Sequence, residues 1–345
     1  MNNIIRVIFS QIKQPYFRVR RLNAAAEAIA MSASSIAQPA AFSLSPGEQA
    51  ADFTKNGYVL IRMPEFNRQY NEEIIEVVHK EIRMNFADTV DSWKYKSWRM
   101  FHSVNSPTLR HSIVLPMTLP LRGLLDGAIS HIRPFLDSQL PNQNSPLVEL
   151  SAVLALPGAR AQAVHTDILF PRSDVSSDQT LILTAMLALQ DITLRNGPTF
   201  LFRGSHTKEF HVRHRRHVRS GDDMHYDSYG DVVHEGYLGH GENDKTDGRV
   251  QERDDENDCA NYAPPTPFYA ELKRGDLLLF DAKLFHFGGA NNSTISRDLL
   301  SWSFQKPAYA AFCTEEQTPA INGFTYHIQK DLKNMLVLQD FQATQ

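Results

Sequence analysis

His165-Thr166-Asp167 is the stretch of this chain best equipped for chemistry. Read as a β-strand, residues i and i+2 project to the same face, so one imidazole and one carboxylate stand side by side. They are two members of the two-histidine, one-carboxylate set that holds non-haem Fe(II) and leaves the opposite coordination positions open. The expectation is complete only if the rest of the chain supplies a third ligand and something to fill those positions.

Both candidates lie downstream. Gly275-Asp276-Leu277-Leu278-Leu279-Phe280-Asp281 reads as a strand, and it is followed by His286 in an apolar setting before Phe287-Gly288-Gly289. Arg297 comes eleven residues after His286 and opens an otherwise apolar strand. A guanidinium keeps its charge, so its burial is costly unless it is paired. A dicarboxylate ligand would provide that pair through a two-pronged hydrogen bond.

The elements that must position these residues fall into two textures. Ser45-Pro46-Gly47-Glu48 has the pattern of a capped helix start, with proline first and glutamate three residues after the cap. Residues 57–61 read as a short strand. Residues 67–84 and 121–140 carry apolar residues near helical period. This N-terminal half reads as α-rich and without chemistry. From Leu147 the pattern becomes one of short strands: 148–156 as a buried strand, one strand carrying Gln162, His165 and Asp167 and ending at Pro171, then 181–191, 199–202, 268–272, 277–280 and 299–304. Asn196-Gly197 marks a tight turn. Many short strands with Gly/Pro turns predict a mostly β fold with flanking helices, an antiparallel sandwich or barrel of jelly-roll type.

Three other segments stand apart. Residues 207–267 form a long polar stretch containing His211, His214, His217, His225, His234 and His240 at no ligand spacing, which reads as a solvated insertion framing the site. Residues 1–40 are basic and Ser/Ala-rich, with no acid before Glu27. That composition fits an organellar transit peptide. The competing reading is a disordered extension ahead of a start at Met31. The organisation expected is therefore an extension at 1–40, a catalytic domain at 45–310 interrupted at 207–267, and a tail at 311–345.

Bulk composition narrows the classes. With 345 residues and 42% hydrophobic content the chain can bury a substantial core, and its net charge of −4 gives no reason to expect nucleic-acid binding. Cys259 and Cys313 are its two cysteines, too few for a disulfide framework, so a reducing, intracellular setting is expected: mitochondrial or plastid if the leader is a signal, cytoplasmic if it is not. No apolar run reaches the length of a membrane span. The partner expected is a small molecule; the oligomeric state is left open.

The ordered set resembles a known family. His165-x-Asp167, Asn196-Gly197-Pro198-Thr199, Gly204-Ser205-His206, Gly275-Asp276, His286 and Arg297, together with Pro157-Gly158 and Gln162, are similar to the phytanoyl-CoA dioxygenase family, including its branch of fungal natural-product dioxygenases. The likeness spans roughly residues 50–310. It implies a double-stranded β-helix of cupin type and an enzyme dependent on Fe(II), 2-oxoglutarate and O2. It further implies His165, Asp167 and His286 as metal ligands, Arg297 on the distal carboxylate of 2-oxoglutarate, and Gln162 and Thr199 as further co-substrate contacts. The reaction implied is oxidation, most simply hydroxylation, of an unactivated C–H bond with release of succinate and CO2. The carboxylate of Asp167 speaks against a halogenase, in which a halide takes that position.

Each residue also has a plainer role. His165 alone is an ordinary polar strand residue, Asp167 alone a turn or cap, Arg297 a structural ion pair, and Gln162 a strand polar group. His206 reads as a loop residue that shapes the fold. Trp93, Trp98 and Phe101 either line a substrate pocket or pack in a core. Two other functions fit parts of the pattern. One is a non-catalytic binding or regulatory protein retaining the oxygenase fold, which the intact triad and Arg297 oppose. The other is a zinc hydrolase using the same ligands, which leaves Arg297 unexplained.

Overall fold

The computed structural model describes residues 45–62, 72–90, 109–141, 144–162, 165–168, 180–211, 267–306 and 336–341. The leader at 1–40, the aromatic group Trp93, Trp98 and Phe101, and residues 212–266 of the insertion lie outside the described residues.

The first element forms as its sequence predicts. Helix α1 (Pro46–Asn56) starts with a full capping box: Ser45 accepts from the Glu48 backbone amide, and Glu48 accepts from the Ser45 amide at 2.8 Å. It stops at Gly57, whose φ of 80° closes the turn into strand β1 (Tyr58–Ile61). Helix α2 (Glu72–Val90) runs further than the periodicity predicted, and helix α3 (Leu119–Gln139) turns Leu124, Leu125, Ile129, Ile132 and Leu136 inward.

The remaining strands are β2 (Arg110–Val114), β3 (Leu147–Ala155), β4 (Ile182–Ala188), β5 (Thr199–Leu201), β6 (Phe268–Ala270), β7 (Leu277–Asp281), β8 (His286–Gly288) and β9 (Arg297–Gln305). They build two antiparallel sheets, a six-stranded one in the order β1-β7-β4-β9-β3-β2 and a three-stranded one in the order β6-β5-β8. The result is the expected jelly-roll core. Strand β9 shows how it is layered. Leu300, Trp302 and Phe304 join Phe53 and the α3 leucines in the core between the large sheet and the helices. The alternate residues Arg297, Leu299 and Ser301 line the pocket on the opposite face, where the small sheet lies.

Four expectations need correction. The segment carrying Gln162, His165 and Asp167 is not a regular strand. His165 makes an isolated bridge with His286, and Asp167 lies in a bend whose amide donates to Ala282 O at 2.9 Å. Proline and glycine at 157–158 interrupt the chain just before it, so pairing is taken up residue by residue. The N-terminal half is not without chemistry, because β2 pairs with β3 and carries Arg110 into the pocket. His211, at the start of the insertion, is not solvated: it is buried, with Nε2 2.9 Å from Lys283 O. Finally, within the stretch read as a tail, Leu338 and Phe341 are fully buried against the helical core. No helix among the described residues is long and apolar enough to cross a membrane.

Candidate active site

His165, Asp167 and His286 meet. One ligand atom from each lies within 4.8 Å of the others, the two imidazole rings are 4.4 Å apart, and His286 Nε2 is 3.6 Å from Asp167 Oδ1. The backbone brings them together through reciprocal bonds, His165 N to His286 O at 2.9 Å and His286 N to His165 O at 2.8 Å. His286 Nδ1 lies 2.8 Å from Leu284 O and carries the proton toward it, which leaves Nε2 for a metal. Burial lowers the His286 imidazole to about 4, keeping it neutral, and burial pushes the Asp167 carboxyl up to about 7. A half-buried carboxylate beside two buried imidazoles is a donor set suited to a divalent ion.

The loop that delivers His286 is held from several sides. Asp281 Oδ1 accepts the Lys283 amide at 2.9 Å, Ser205 Oγ accepts the Phe285 amide at 2.9 Å, and Ala282 O takes the amides of Asp167 and Ile168. The Gly-Ser-His motif thus acts through Ser205. His206 is buried, with Nε2 3.2 Å from Thr54 O, and stands outside the ligand cluster as expected. Asp276 pairs with Arg62 and accepts the Lys273 amide, a structural role in the turn before β7.

Beyond the ligands, at the end of the cavity where β9 begins, lie the anion-binding groups. Arg297 is 1% exposed, and its Nη1 donates to Gly197 O at 2.8 Å while Nε has no protein partner. The Asn-Gly turn exists to present that carbonyl. Asn196 clamps it by accepting the Thr193 amide and donating to Asp191 O, and Gly197 sits at φ 84°, where a Cβ would lie 2.3 Å from Gly289 O. Thr199 pairs with Gly288 and lines the pocket. Gln162 Oε1 accepts the Gly288 amide at 2.8 Å, and the residue lines the cavity.

Arg110, which no sequence motif marks, also lines this end of the cavity. Its Nε donates to Arg160 O at 3.0 Å, its Nη2 to the carbonyls of Gly288 and Gly289, and its Nη1 is buried without a partner. Burial and then the Arg297 charge pull its pKa well below the ordinary arginine value. Burial likewise lowers Arg297 to about 10, still cationic at neutral pH. Among the described residues neither guanidinium forms an ion pair with a carboxylate. Two cations lining one end of the same cavity are a receptor for an anion.

A family model described as phytanoyl-CoA dioxygenase (PhyH) matches residues 53–299. The chain belongs to the phytanoyl-CoA dioxygenase family. It is therefore an enzyme of the dioxygenase type. Among solved structures, the chain is similar to HygX from Streptomyces hygroscopicus, determined with nickel and 2-oxoglutarate bound, at 17% identity, covering 84% of this chain and 100% of that one with a TM-score of 0.47. It is also similar to the epimerase SnoN in complex with Fe3+, alpha ketoglutarate and nogalamycin RO, at 16% identity over 76% and 83% of the two chains with a TM-score of 0.45. EctD from S. alaskensis with bound Fe matches at 15% identity over 79% and 80%, also with a TM-score of 0.45. A comparison with curated proteins found no match.

Proposed function

We propose that this protein is an Fe(II)- and 2-oxoglutarate-dependent dioxygenase that hydroxylates an unactivated C–H bond of a small organic substrate. The observation that carries the reading is the sequence of groups along one cavity: a His-Asp-His cluster, then Gln162 and Thr199, then two arginines without carboxylate partners. His165, Asp167 and His286 would hold the iron. Arg297 would take the distal carboxylate of 2-oxoglutarate, with Arg110 beside it and Gln162 and Thr199 donating along its length. When bound, iron, 2-oxoglutarate and O2 supply a two-electron oxidation in which one oxygen atom goes to the substrate and the other to succinate, with loss of CO2.

The chain's own residues do the rest. The Leu284 carbonyl fixes the His286 tautomer, and Gly197 holds Arg297 in the direction of the pocket. Val153, Met186 and Leu299 give the pocket an apolar stretch of lining. A zinc hydrolase would need the triad but would have no use for two arginines held only by backbone carbonyls. Iron retention after anaerobic loading and desalting tests the ligand assignment. Wild type should retain one equivalent, whereas Asp167→Ala and His286→Ala should retain almost none with unchanged circular dichroism. Equal retention in the variants would exclude these ligands.

A further inference from the structure

Glu149 has no role in the centre described above, yet its carboxylate lines the same cavity. It lies outside the ligand cluster. Strand β3 carries a bulge between Leu147 and Glu149, after which Glu149 stands opposite Ser303 of β9. The bulge is what aims this acid inward, while Leu147 on its other side faces the helical core. Ser151 Oγ donates to Oε1 at 2.7 Å and Ser303 Oγ donates to Oε2 at 2.9 Å; Thr184 Oγ1 is 3.1 Å from Ser303 Oγ. A carboxylate offers about four acceptor positions, so two serines leave it half satisfied. Among the described residues no basic side chain pairs with it.

Its place in the cavity says what it faces. Arg297 and Ser303 are six residues apart on β9, or about 20 Å along the strand. That is far longer than a five-carbon diacid. The register puts Arg297 opposite Ala155 and Ser303 opposite Glu149, with the apolar pair Val153–Leu299 and the polar pair Ser151–Ser301 between them. Asp167 is near enough for its charge to act on Glu149. Along β3 and β9 the order is therefore Arg297, the Val153–Leu299 pair and Glu149, with Asp167 near the Glu149 end. Glu149 thus stands on the side of the cavity away from Arg297.

We infer that Glu149 is the substrate anchor and that the substrate is an amine, its protonated nitrogen held by Glu149 and its carbon skeleton lying over the metal ligands. Burial pushes the free carboxyl up to about 7 against the hydrogen bond from Ser151, with the Asp167 charge adding to the rise. A bound ammonium would offset both effects. The inference rests on the proposed iron and 2-oxoglutarate centre.

The probes are hexylamine, cyclohexylamine and tryptamine, each matched to the alcohol of the same shape: hexanol, cyclohexanol and indole-3-ethanol. Protein loaded anaerobically with Fe(II) and 2-oxoglutarate at pH 8 is titrated with each by calorimetry. Formation of the visible charge-transfer band is checked first, so a failed centre is told apart from a failed anchor. At least one amine should bind ten or more times tighter than its alcohol. Glu149→Gln should erase that preference, and Glu149→Asp, which keeps the charge but shortens the reach, should restore part of it. The inference is overturned if alcohols bind as well as amines, if Glu149→Gln leaves amine affinity unchanged, or if no amine binds to protein that forms the band. Absence of the band overturns the centre and the anchor together.

Discussion

Arg297 and Arg110 share an anionic ligand unequally. Arg297 is fixed by one carbonyl and keeps Nε unengaged, whereas Arg110 already gives Nε and Nη2 to backbone carbonyls. Losing one partner of a buried hydrogen-bonded charge pair costs about 2–5 kcal/mol. Arg297→Ala should therefore raise the 2-oxoglutarate dissociation constant by roughly 30-fold or more. Arg297→Lys should recover only part of this, because a point charge cannot form the fork. Unchanged co-substrate affinity in Arg297→Ala would remove this residue from the site. His165, Asp167, His286 and Arg297 were legible in the sequence because their types are expensive to bury without a use. Arg110 and Glu149 were not. The first lies in a short strand with no pattern of its own, and the second sits inside what reads as a continuous buried strand, where a bulge leaves no sequence mark.

At the scale of elements, the site depends on where β9 lies against α2. Asp298, adjacent to Arg297, is fully buried and takes His79 Nε2 and Arg83 Nε, each at 2.6 Å, and the Ser296 hydroxyl. Burial pushes its carboxyl up, but the hydrogen bonds from His79 and Ser296 and the Arg83 charge outweigh this and hold it below the usual 3.8. A depressed folded-state pKa contributes stability that is whole above the unfolded value and is lost as pH falls below it. Asp298→Asn should cost about 2 kcal/mol at pH 7. It should also flatten the loss of stability on acidification below about pH 4, measured by urea unfolding across pH. A parallel acid profile in the variant would contradict this tie. The capping box, the long helices and most strands were legible at this scale because period and turn residues act locally. The path of 162–167 was not, since its pairing is dictated by β8 and the 281–286 loop, far away in sequence.

For the whole molecule, two sheets enclose the site and the helices seal the outer face of the larger one. The 336–341 segment completes that seal. Phe341 meets Phe304 edge-on at 5.9 Å, Arg122 lies 4.4 Å over its ring, and Val337 bridges Pro146 at the start of β3. Phe341→Ala should destabilise the fold by about 3–5 kcal/mol, seen as a lower thermal midpoint, although the residue is far from any reacting group. A midpoint unchanged within error would show that the segment is dispensable. Its short apolar stretch has no sequence period to show that it docks.

The proposed function requires one cavity to bind iron through His165, Asp167 and His286 and 2-oxoglutarate through Arg297 at the same time. Anaerobic addition of Fe(II) and then 2-oxoglutarate, followed by visible absorption, reads this directly. Wild type should develop a metal-to-ligand charge-transfer band that saturates at one equivalent, Asp167→Ala should give none, and Arg297→Ala should need far more 2-oxoglutarate to reach it. Iron and 2-oxoglutarate binding without a band, or a band that survives Asp167→Ala, would exclude this joint site.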